Sequence, residues 1–164
     1  MGLEIERKFL LISEEWRAQA TDARYYCQGY LCTDKERAVR VRIVADTATL
    51  TIKGPASGIS RLEFEYPLPL ADAKTLLERL AQKPLVEKIR HLVPHHGRIW
   101  EVDEFLGLNQ GLIVAEVELE SEDQAFAKPP WAGEEVTADP RYQNARLVKH
   151  PYATWTVAPD KAQP

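Results

Sequence analysis

Charged side chains occupy every second position in several short segments of this chain. At the N-terminus, Glu4, Glu6 and Lys8 alternate with mostly apolar residues. Successive side chains of an extended strand point to opposite faces, so these three charges share one face of a predicted strand. A face of this kind is usually solvated, and the N-terminal segment alone does not separate that case from a binding surface.

Other segments repeat the alternation, and most of them carry one sign of charge. Basic residues recur in "AVRVRI", "LTIKG" and "VEKIR", whereas acidic residues recur in "RLEFEY" and "VAEVELE". These segments, with "EVDEF", supply basic positions Arg40, Arg42, Lys53, Lys88 and Arg90 and acidic positions Glu63, Glu65, Asp103, Glu116 and Glu118. Segregation by strand is a poor way to optimise neighbouring ion pairs. It therefore indicates a binding surface with a basic sector and an acidic sector.

Two such sectors suit a ligand that carries both phosphate groups and a metal ion. The planar guanidinium of arginine matches phosphate oxygens, and hard divalent cations prefer carboxylate oxygens. The structural alternative is an open sheet with one wet face, on which cross-strand ion pairs contribute about 0.2–1 kcal/mol each. That alternative predicts no phosphate binding.

The elements that position these residues are predicted to be mostly antiparallel strands. Extended segments separated by turn signals lie at residues 2–11, 24–32, 36–45, 47–53, 60–66, 85–93, 98–105 and 112–120. Leucine spacing predicts a helix over residues 70–82, and shorter helices are expected near 13–20, 122–127 and 141–148. If the sheet closes on itself, helices cover its apolar outer face and the charged face lines a tunnel.

Length and composition indicate one globular unit. With 164 residues, 45% of them hydrophobic, we expect a single domain over residues 1–155 and a mobile tail over 156–164. The net charge of −4 argues against a nucleic-acid partner. No apolar run approaches the roughly 20 residues of a membrane-spanning helix, and no secretory signal is visible. The sequence therefore predicts a cytoplasmic protein without a membrane partner.

The motif "EIERK" resembles the ExExK signature of the CYTH superfamily, the triphosphate tunnel metalloenzymes. The resemblance extends through "QGYL", "VRVR", "IKG", "RLEFEY", "VEKIR", "VDEF", "AEVELE" and "GEEVT", from Glu4 to about Leu147. It implies a mainly β fold, a closed eight-stranded antiparallel β-barrel around a charged tunnel, with a few helices packed outside. It also implies triphosphate binding by basic side chains and chemistry that uses Mg²⁺ or Mn²⁺.

The resemblance also implies roles for individual residues. Phosphate ligands would be Lys8, Arg40, Arg42, Lys53 and Arg90. Metal ligands, or supports of metal-bound water, would be Glu4, Glu6, Glu116 and Glu118. Lys88 and Tyr30 would prepare the attacking water or close the site, and Glu63, Glu65 and Asp103 match acidic tunnel positions whose role stays open.

The match is nearest to compact bacterial members of the superfamily, which implies metal-dependent hydrolysis of inorganic tripolyphosphate to pyrophosphate and phosphate. Alternatives are a class IV-type adenylate cyclase, or a hydrolase of thiamine triphosphate or nucleotides. A different class is a non-catalytic polyphosphate-binding module. The acidic pairs Glu4/Glu6 and Glu116/Glu118 argue against such a module, because carboxylates weaken a receptor for polyanions. The sequence leaves a homodimer open.

Overall fold

The computed structural model describes residues 2–155 as nine antiparallel strands and three short α-helices. The predicted tail over residues 156–164 lies outside the described residues. The strands are β1 (Leu3–Leu11), β2 (Asp22–Thr33), β3 (Ala38–Val44), β4 (Thr47–Lys53), β5 (Ser60–Leu68), β6 (Val86–His95), β7 (Arg98–Phe105), β8 (Ile113–Glu118) and β9 (Ala132–Glu135). The helices are α1 (Trp16–Gln19), α2 (Leu70–Arg79) and α3 (Arg146–Lys149).

Eight of these strands form a closed ring in the order β5-β4-β3-β2-β6-β7-β8-β1. The ring closes where β1 pairs with β5, with Leu3 opposite Leu62 and Ile5 opposite Ser60. The prediction of a closed eight-stranded antiparallel β-barrel is therefore confirmed. The ninth strand, β9, was not predicted, and it pairs with the last residues of β1, from Phe9 to Leu11.

The apolar faces of the strands point outward and are covered by helices and loops. Ala73 and Leu77 of α2 pack against Val41 of β3 and Ala48 of β4. On the opposite side, Phe9, Trp16, Trp100 and Trp131 belong to a second buried cluster. Because the hydrophobic core lies largely outside the ring, most of the interior is left to the charged faces of the strands.

One end of the barrel interior is apolar and filled by the C-terminal segment, residues 136–148. Val86, Phe105 and Val114 share the inward-facing parity of the charged residues on their strands, yet they are buried against Tyr142 and Leu147. Apolar side chains on the inner wall need an apolar partner to exclude water. The C-terminal segment supplies that partner, and the charged part of the interior begins beyond it.

The helix predicted near residues 122–127 is wrong. Ser121 and Gln124 resemble a helix-start signal, and the Gln124 side chain accepts a hydrogen bond from the Glu120 backbone N–H, but only a turn forms. Phe126 instead packs against Phe9 and Trp100. A proline pair at residues 129–130 leaves little length for a helix, and very short helices are marginal.

The helices predicted near 13–20 and 141–148 are confirmed in type but are only four residues long, as α1 and α3. Within residues 2–155, none of the helices has the length and apolar character needed to cross a bilayer.

Candidate active site

A cavity of about 320 Å³ lies inside the barrel and is lined mainly by charged and polar side chains. Almost all of the predicted site residues line it: Glu4, Glu6, Lys8, Tyr30, Arg40, Arg42, Lys53, Glu63, Glu65, Lys88, Arg90, Glu116 and Glu118. Asp103 does not, because it is fully buried behind Lys88 and Arg90. The alternation along each strand therefore brings these residues together, as the sequence predicts.

Arg40 and Arg42 of β3 contribute two positive charges to the wall of the cavity. Among residues 2–155, neither forms an ion pair with a carboxylate, and the buried Nε of Arg40 has no hydrogen-bond partner. Arg40 donates to Thr51 Oγ1 at 3.1 Å, and Arg42 Nε donates to Gln28 Oε1 at 2.9 Å. Burial, together with the charges of Arg40 and Arg90, lowers the pKa of Arg42 to about 10. Such an arrangement calls for an anion in the cavity.

Lys88 and Arg90 of β6 share the buried carboxylate of Asp103. Lys88 Nζ lies 2.6 Å from Asp103 Oδ2, and Arg90 donates two hydrogen bonds to the same carboxylate at 2.7 and 2.8 Å. Burial, assisted by the neighbouring charges of Arg90 and Arg42, lowers the pKa of Lys88 to about 7 although the charge of Asp103 acts in the opposite direction. The ammonium group of Lys88 can therefore release a proton near neutral pH.

The acidic side of the tunnel contains two lysines. Lys53 Nζ lies between Glu4 Oε2, at 2.9 Å, and Glu63 Oε2, at 3.2 Å. Lys8 Nζ lies 3.6 Å from Glu116 Oε1 and 3.8 Å from a carboxylate oxygen of Glu6. Lys53 was predicted within the basic sector, and that placement is wrong. It lies among carboxylates because β4 pairs it with Glu63, and because the closure of the ring places Glu4 of β1 on the other side of β5.

Several carboxylates crowd one another on this side. Burial, followed by the charges of Glu116 and Glu4, raises the pKa of Glu6 to about 7. Burial and the nearby Glu4 and Glu63 also raise the pKa of Glu118, which lies opposite Glu6 in the β1–β8 pairing. Burial opposes ionisation of Glu116 as well, but Lys8 and Arg90 hold its pKa below the usual value. Carboxylates that raise one another's pKa are expected where a cation belongs between them.

These carboxylates fit a divalent cation by their chemistry, since hard cations bind carboxylate oxygens. Among residues 2–155, no three acidic, histidine or cysteine side chains already converge as a metal site. Glu4 and Glu116 are instead held by Lys53 and Lys8. Binding of a cation therefore requires that these carboxylates exchange their lysine partners for the metal.

Sequence reasoning missed several residues of the tunnel. Glu101 Oε2 accepts a hydrogen bond from Arg90 Nη1 at 2.7 Å, and its position two residues before Asp103 could have identified it. Tyr26 and Gln28 share the inward parity of Tyr30, and the ring of Tyr26 lies beside Arg42 and Arg90, with their guanidinium carbons 4.8 and 5.2 Å from its centre. Asn144 and Thr137 line the cavity from the C-terminal segment, where no periodicity marks them.

Comparison with known proteins agrees with this architecture. Residues 2–152 match the model of the CYTH domain. The chain is 50% identical over 152 residues to an inorganic triphosphatase of Acetivibrio thermocellus, covering 93% of this chain and 97% of that protein. It is 38% identical over 151 residues to an inorganic triphosphatase of Nitrosomonas europaea, covering 88% of this chain and 96% of that protein. The crystal structure of an inorganic triphosphatase that is 35% identical covers 88% of this chain and 93% of its own, with a TM-score of 0.61. With this fold, this tunnel and a match that runs from residue 2 to residue 152, the chain belongs to the CYTH domain family.

Proposed function

We propose that this protein hydrolyses inorganic tripolyphosphate to pyrophosphate and orthophosphate inside the tunnel, with Mg²⁺ or Mn²⁺ as the metal. The observation that carries the proposal is the pair Arg40 and Arg42, which face the cavity without a carboxylate partner among residues 2–155. A compact polyanion supplies the missing negative charge. The similar proteins of Acetivibrio thermocellus and Nitrosomonas europaea, both inorganic triphosphatases, support the same conclusion.

Phosphate binding in this proposal involves two groups of cations. Arg40 and Arg42 already present guanidinium groups to the cavity without a carboxylate partner among residues 2–155. Lys8, Lys53 and Arg90 join them when the substrate competes with their carboxylate partners. Each charge-assisted hydrogen bond to phosphate contributes about 1.5–3 kcal/mol, so a few such contacts suffice for firm binding.

The metal in this proposal belongs to the acidic side of the tunnel. Glu4, Glu6, Glu116 and Glu118 would hold it, while Glu63 and Glu65 add negative charge beside Lys53. When bound, a divalent cation neutralises phosphate oxygens and favours departure of the leaving group. Its binding would also relieve the mutual repulsion that raises the pKa values of Glu6 and Glu118.

The reaction requires a water molecule in line with the bond that breaks. The water oxygen bonds to the terminal phosphorus, and the bridging P–O bond breaks with its electron pair leaving on pyrophosphate. Lys88, whose pKa is about 7, is suited to accept a proton from this water near neutral pH. Tyr30, buried at the cavity wall opposite Arg40, would help to hold the water in place. Positioning and charge stabilisation supply most of the rate in phosphoryl transfer.

The tunnel favours an inorganic substrate over a nucleotide. A base needs an aromatic platform or polar groups that match its edge. Tyr26 supplies an aromatic ring to the cavity wall, and Arg42, Lys88 and Arg90 already lie against it. A ring occupied by three cations is a poor stacking surface for a base.

An assay panel of tripolyphosphate, ATP, thiamine triphosphate and pyrophosphate tests the proposal, with and without Mg²⁺ or Mn²⁺ and with identification of products. We expect pyrophosphate and orthophosphate from tripolyphosphate, only when metal is present. Cyclic AMP formed from ATP would replace the hydrolase with a cyclase. Tight binding without turnover would favour a binding module, and absence of binding would favour an ion-paired structural barrel.

A further inference from the structure

Asn144, in the segment that closes one end of the barrel, accepts hydrogen bonds from two tunnel residues through one oxygen. Its Oδ1 lies 2.8 Å from Gln28 Nε2 and 2.9 Å from Lys88 Nζ. Gln28 is fully buried, and its own Oε1 accepts a hydrogen bond from Arg42 Nε at 2.9 Å. One continuous chain of hydrogen bonds therefore joins Arg42 to Lys88.

Both side-chain amides in this series of hydrogen bonds, those of Gln28 and Asn144, have a fixed orientation. Arginine and the lysine ammonium group only donate, so each needs an oxygen facing it. Gln28 must then turn its oxygen to Arg42 and its nitrogen to Asn144, and Asn144 must turn its oxygen to both donors. Arg42 donates only its Nε–H to Gln28, which leaves its two terminal nitrogens for the cavity. The two amides thus aim the cations that face the proposed substrate.

The acceptors in this series of hydrogen bonds, Gln28 Oε1 and Asn144 Oδ1, are neutral, in contrast to the carboxylates that hold Lys8 and Lys53. A carboxylate partner cancels the charge of the cation it orients, whereas an amide oxygen orients the cation and leaves its charge available. In a site for a polyanion, this difference decides how strongly the cation attracts the ligand. A glutamine held by Asn144 is therefore suited to orient Arg42, whereas Lys88, which Asp103 also holds, gains a fixed position from Asn144.

Asn144 is itself held firmly, although it belongs to no strand. Tyr142 and Leu147 on either side of it are buried in the apolar end of the barrel. The backbone carbonyl of Gln143 accepts hydrogen bonds from the N–H groups of Arg146 and Leu147, which fixes the turn around Asn144. The position of the Oδ1 atom is thus set by the packing of the C-terminal segment.

We propose that Asn144, together with Gln28, is a positioning residue that orients Arg42 for the triphosphate without neutralising it, and that fixes the place of Lys88, whose carboxylate partner is Asp103. The proposal rests on the proposed function. With this role for Asn144, the C-terminal segment both closes one end of the barrel and forms part of the substrate site.

The test compares two substitutions at Asn144 by kinetics, by calorimetric titration of tripolyphosphate in the absence of metal, and by thermal melting. Asn144→Ala removes the shared acceptor, and we expect the affinity for tripolyphosphate to fall about tenfold. Asn144→Asp keeps an oxygen for both donors and adds a negative charge. We expect this variant to melt at or above the wild-type temperature and yet to bind tripolyphosphate at least about tenfold more weakly. A purely structural role predicts that aspartate restores both properties.

Asn109→Ala is the matched control. Asn109 is also a buried asparagine that holds the C-terminal segment, through a hydrogen bond from the Tyr152 backbone N–H at 2.8 Å, but it does not line the cavity. We expect it to lower the melting temperature and to leave the KM and kcat of tripolyphosphate hydrolysis unchanged. Wild-type affinity and turnover in Asn144→Asp would overturn the positioning role while the proposed function stands. A wild-type protein that neither binds nor hydrolyses tripolyphosphate would overturn the proposed function, and the positioning role with it.

Discussion

Lys53 Nζ lies 2.9 Å from Glu4 Oε2, so a proposed phosphate ligand and a proposed metal ligand neutralise each other on the tunnel wall, where only β5 separates their strands. The same ammonium group also lies 3.2 Å from Glu63 Oε2. Lys8 and Glu116 repeat this relationship on the neighbouring strands at 3.6 Å. Before ligands enter, the negative charge on the acidic side of the tunnel is thus partly compensated by these two lysines. Binding of metal and triphosphate together lets each partner exchange one opposite charge for another.

The pairing of Lys53 with Glu4 leads to a prediction for Glu4→Gln. The amide keeps the size of the side chain but removes the charge that a hard cation needs, so Mg²⁺-dependent turnover should fall at least about tenfold. Metal-free binding of tripolyphosphate should be retained or become tighter, because Lys53 is partly released. Turnover as a function of Mg²⁺ concentration and calorimetry in the presence of a chelator measure the two effects. Glu78→Gln, on the exposed face of α2, is the control, and a normal Mg²⁺ dependence of Glu4→Gln would remove Glu4 from the metal site.

A second prediction concerns Arg42, which forms no ion pair among residues 2–155. Arg42→Met removes the charge and keeps most of the apolar stem, so tripolyphosphate affinity should fall by about 1.5–3 kcal/mol. The empty protein should melt at a higher temperature, because burial and the neighbouring Arg40 and Arg90 disfavour the Arg42 charge. Arg37→Met changes an exposed arginine outside the tunnel and should alter neither property markedly. Unchanged affinity in Arg42→Met would place Arg42 outside the phosphate site.

Alternation along the strands was enough to predict which residues face the tunnel. In β1, Glu4, Glu6 and Lys8 must share a face because the side-chain period of a strand is two, whatever the rest of the fold. The same rule applies to Arg40 and Arg42 in β3. Tertiary structure cannot easily override this rule, and for that reason most of the charged lining of the tunnel followed from the sequence.

Partners from different strands could not be predicted in the same way. Lys53 and Glu4 meet only because β5 closes the ring onto β1, and periodicity specifies a face but not a neighbour. Asn144 lies in a turn whose position depends on how Tyr142 and Leu147 fill the barrel end. Strand β9 (Ala132–Glu135) forms because the end of β1 offers an unpaired edge, which its own short sequence does not reveal.

A third prediction concerns the contact that fixes β2 beneath α2. A Cβ atom added at Gly29 would lie 2.8 Å from Ala81 Cβ and 2.8 Å from Leu77 Cδ2. Gly29→Ala should therefore push the helix end away from the barrel and lower the free energy of unfolding by about 1–3 kcal/mol. At Gly54 the nearest atom, Leu62 Cβ, is 3.5 Å away, so Gly54→Ala should have little effect. Urea unfolding of both variants measures the difference, and equal stabilities would show that α2 adjusts freely.

The last prediction concerns Lys88 and pH. Burial and the charges of Arg90 and Arg42 lower its pKa to about 7 in the folded protein, whereas the ordinary value is 10.5. Between these two values the unfolded chain holds a proton on this residue that the folded chain has released. The contribution of Lys88 to the free energy of unfolding therefore increases as pH rises from about 7 towards 10.5, by at most about 1.4 kcal/mol per pH unit.

Lys88→Met lacks this contribution, so the stability of the wild type relative to the variant should increase with pH over that window. Urea unfolding of both proteins at several values between pH 6 and 10 measures the difference, in which the titration of other groups largely cancels. A difference that stays constant with pH would mean that Lys88 keeps its proton throughout. In that case Lys88 could bind phosphate as a permanent cation, but it could not accept a proton from the attacking water, and the base would have to be sought elsewhere in the tunnel.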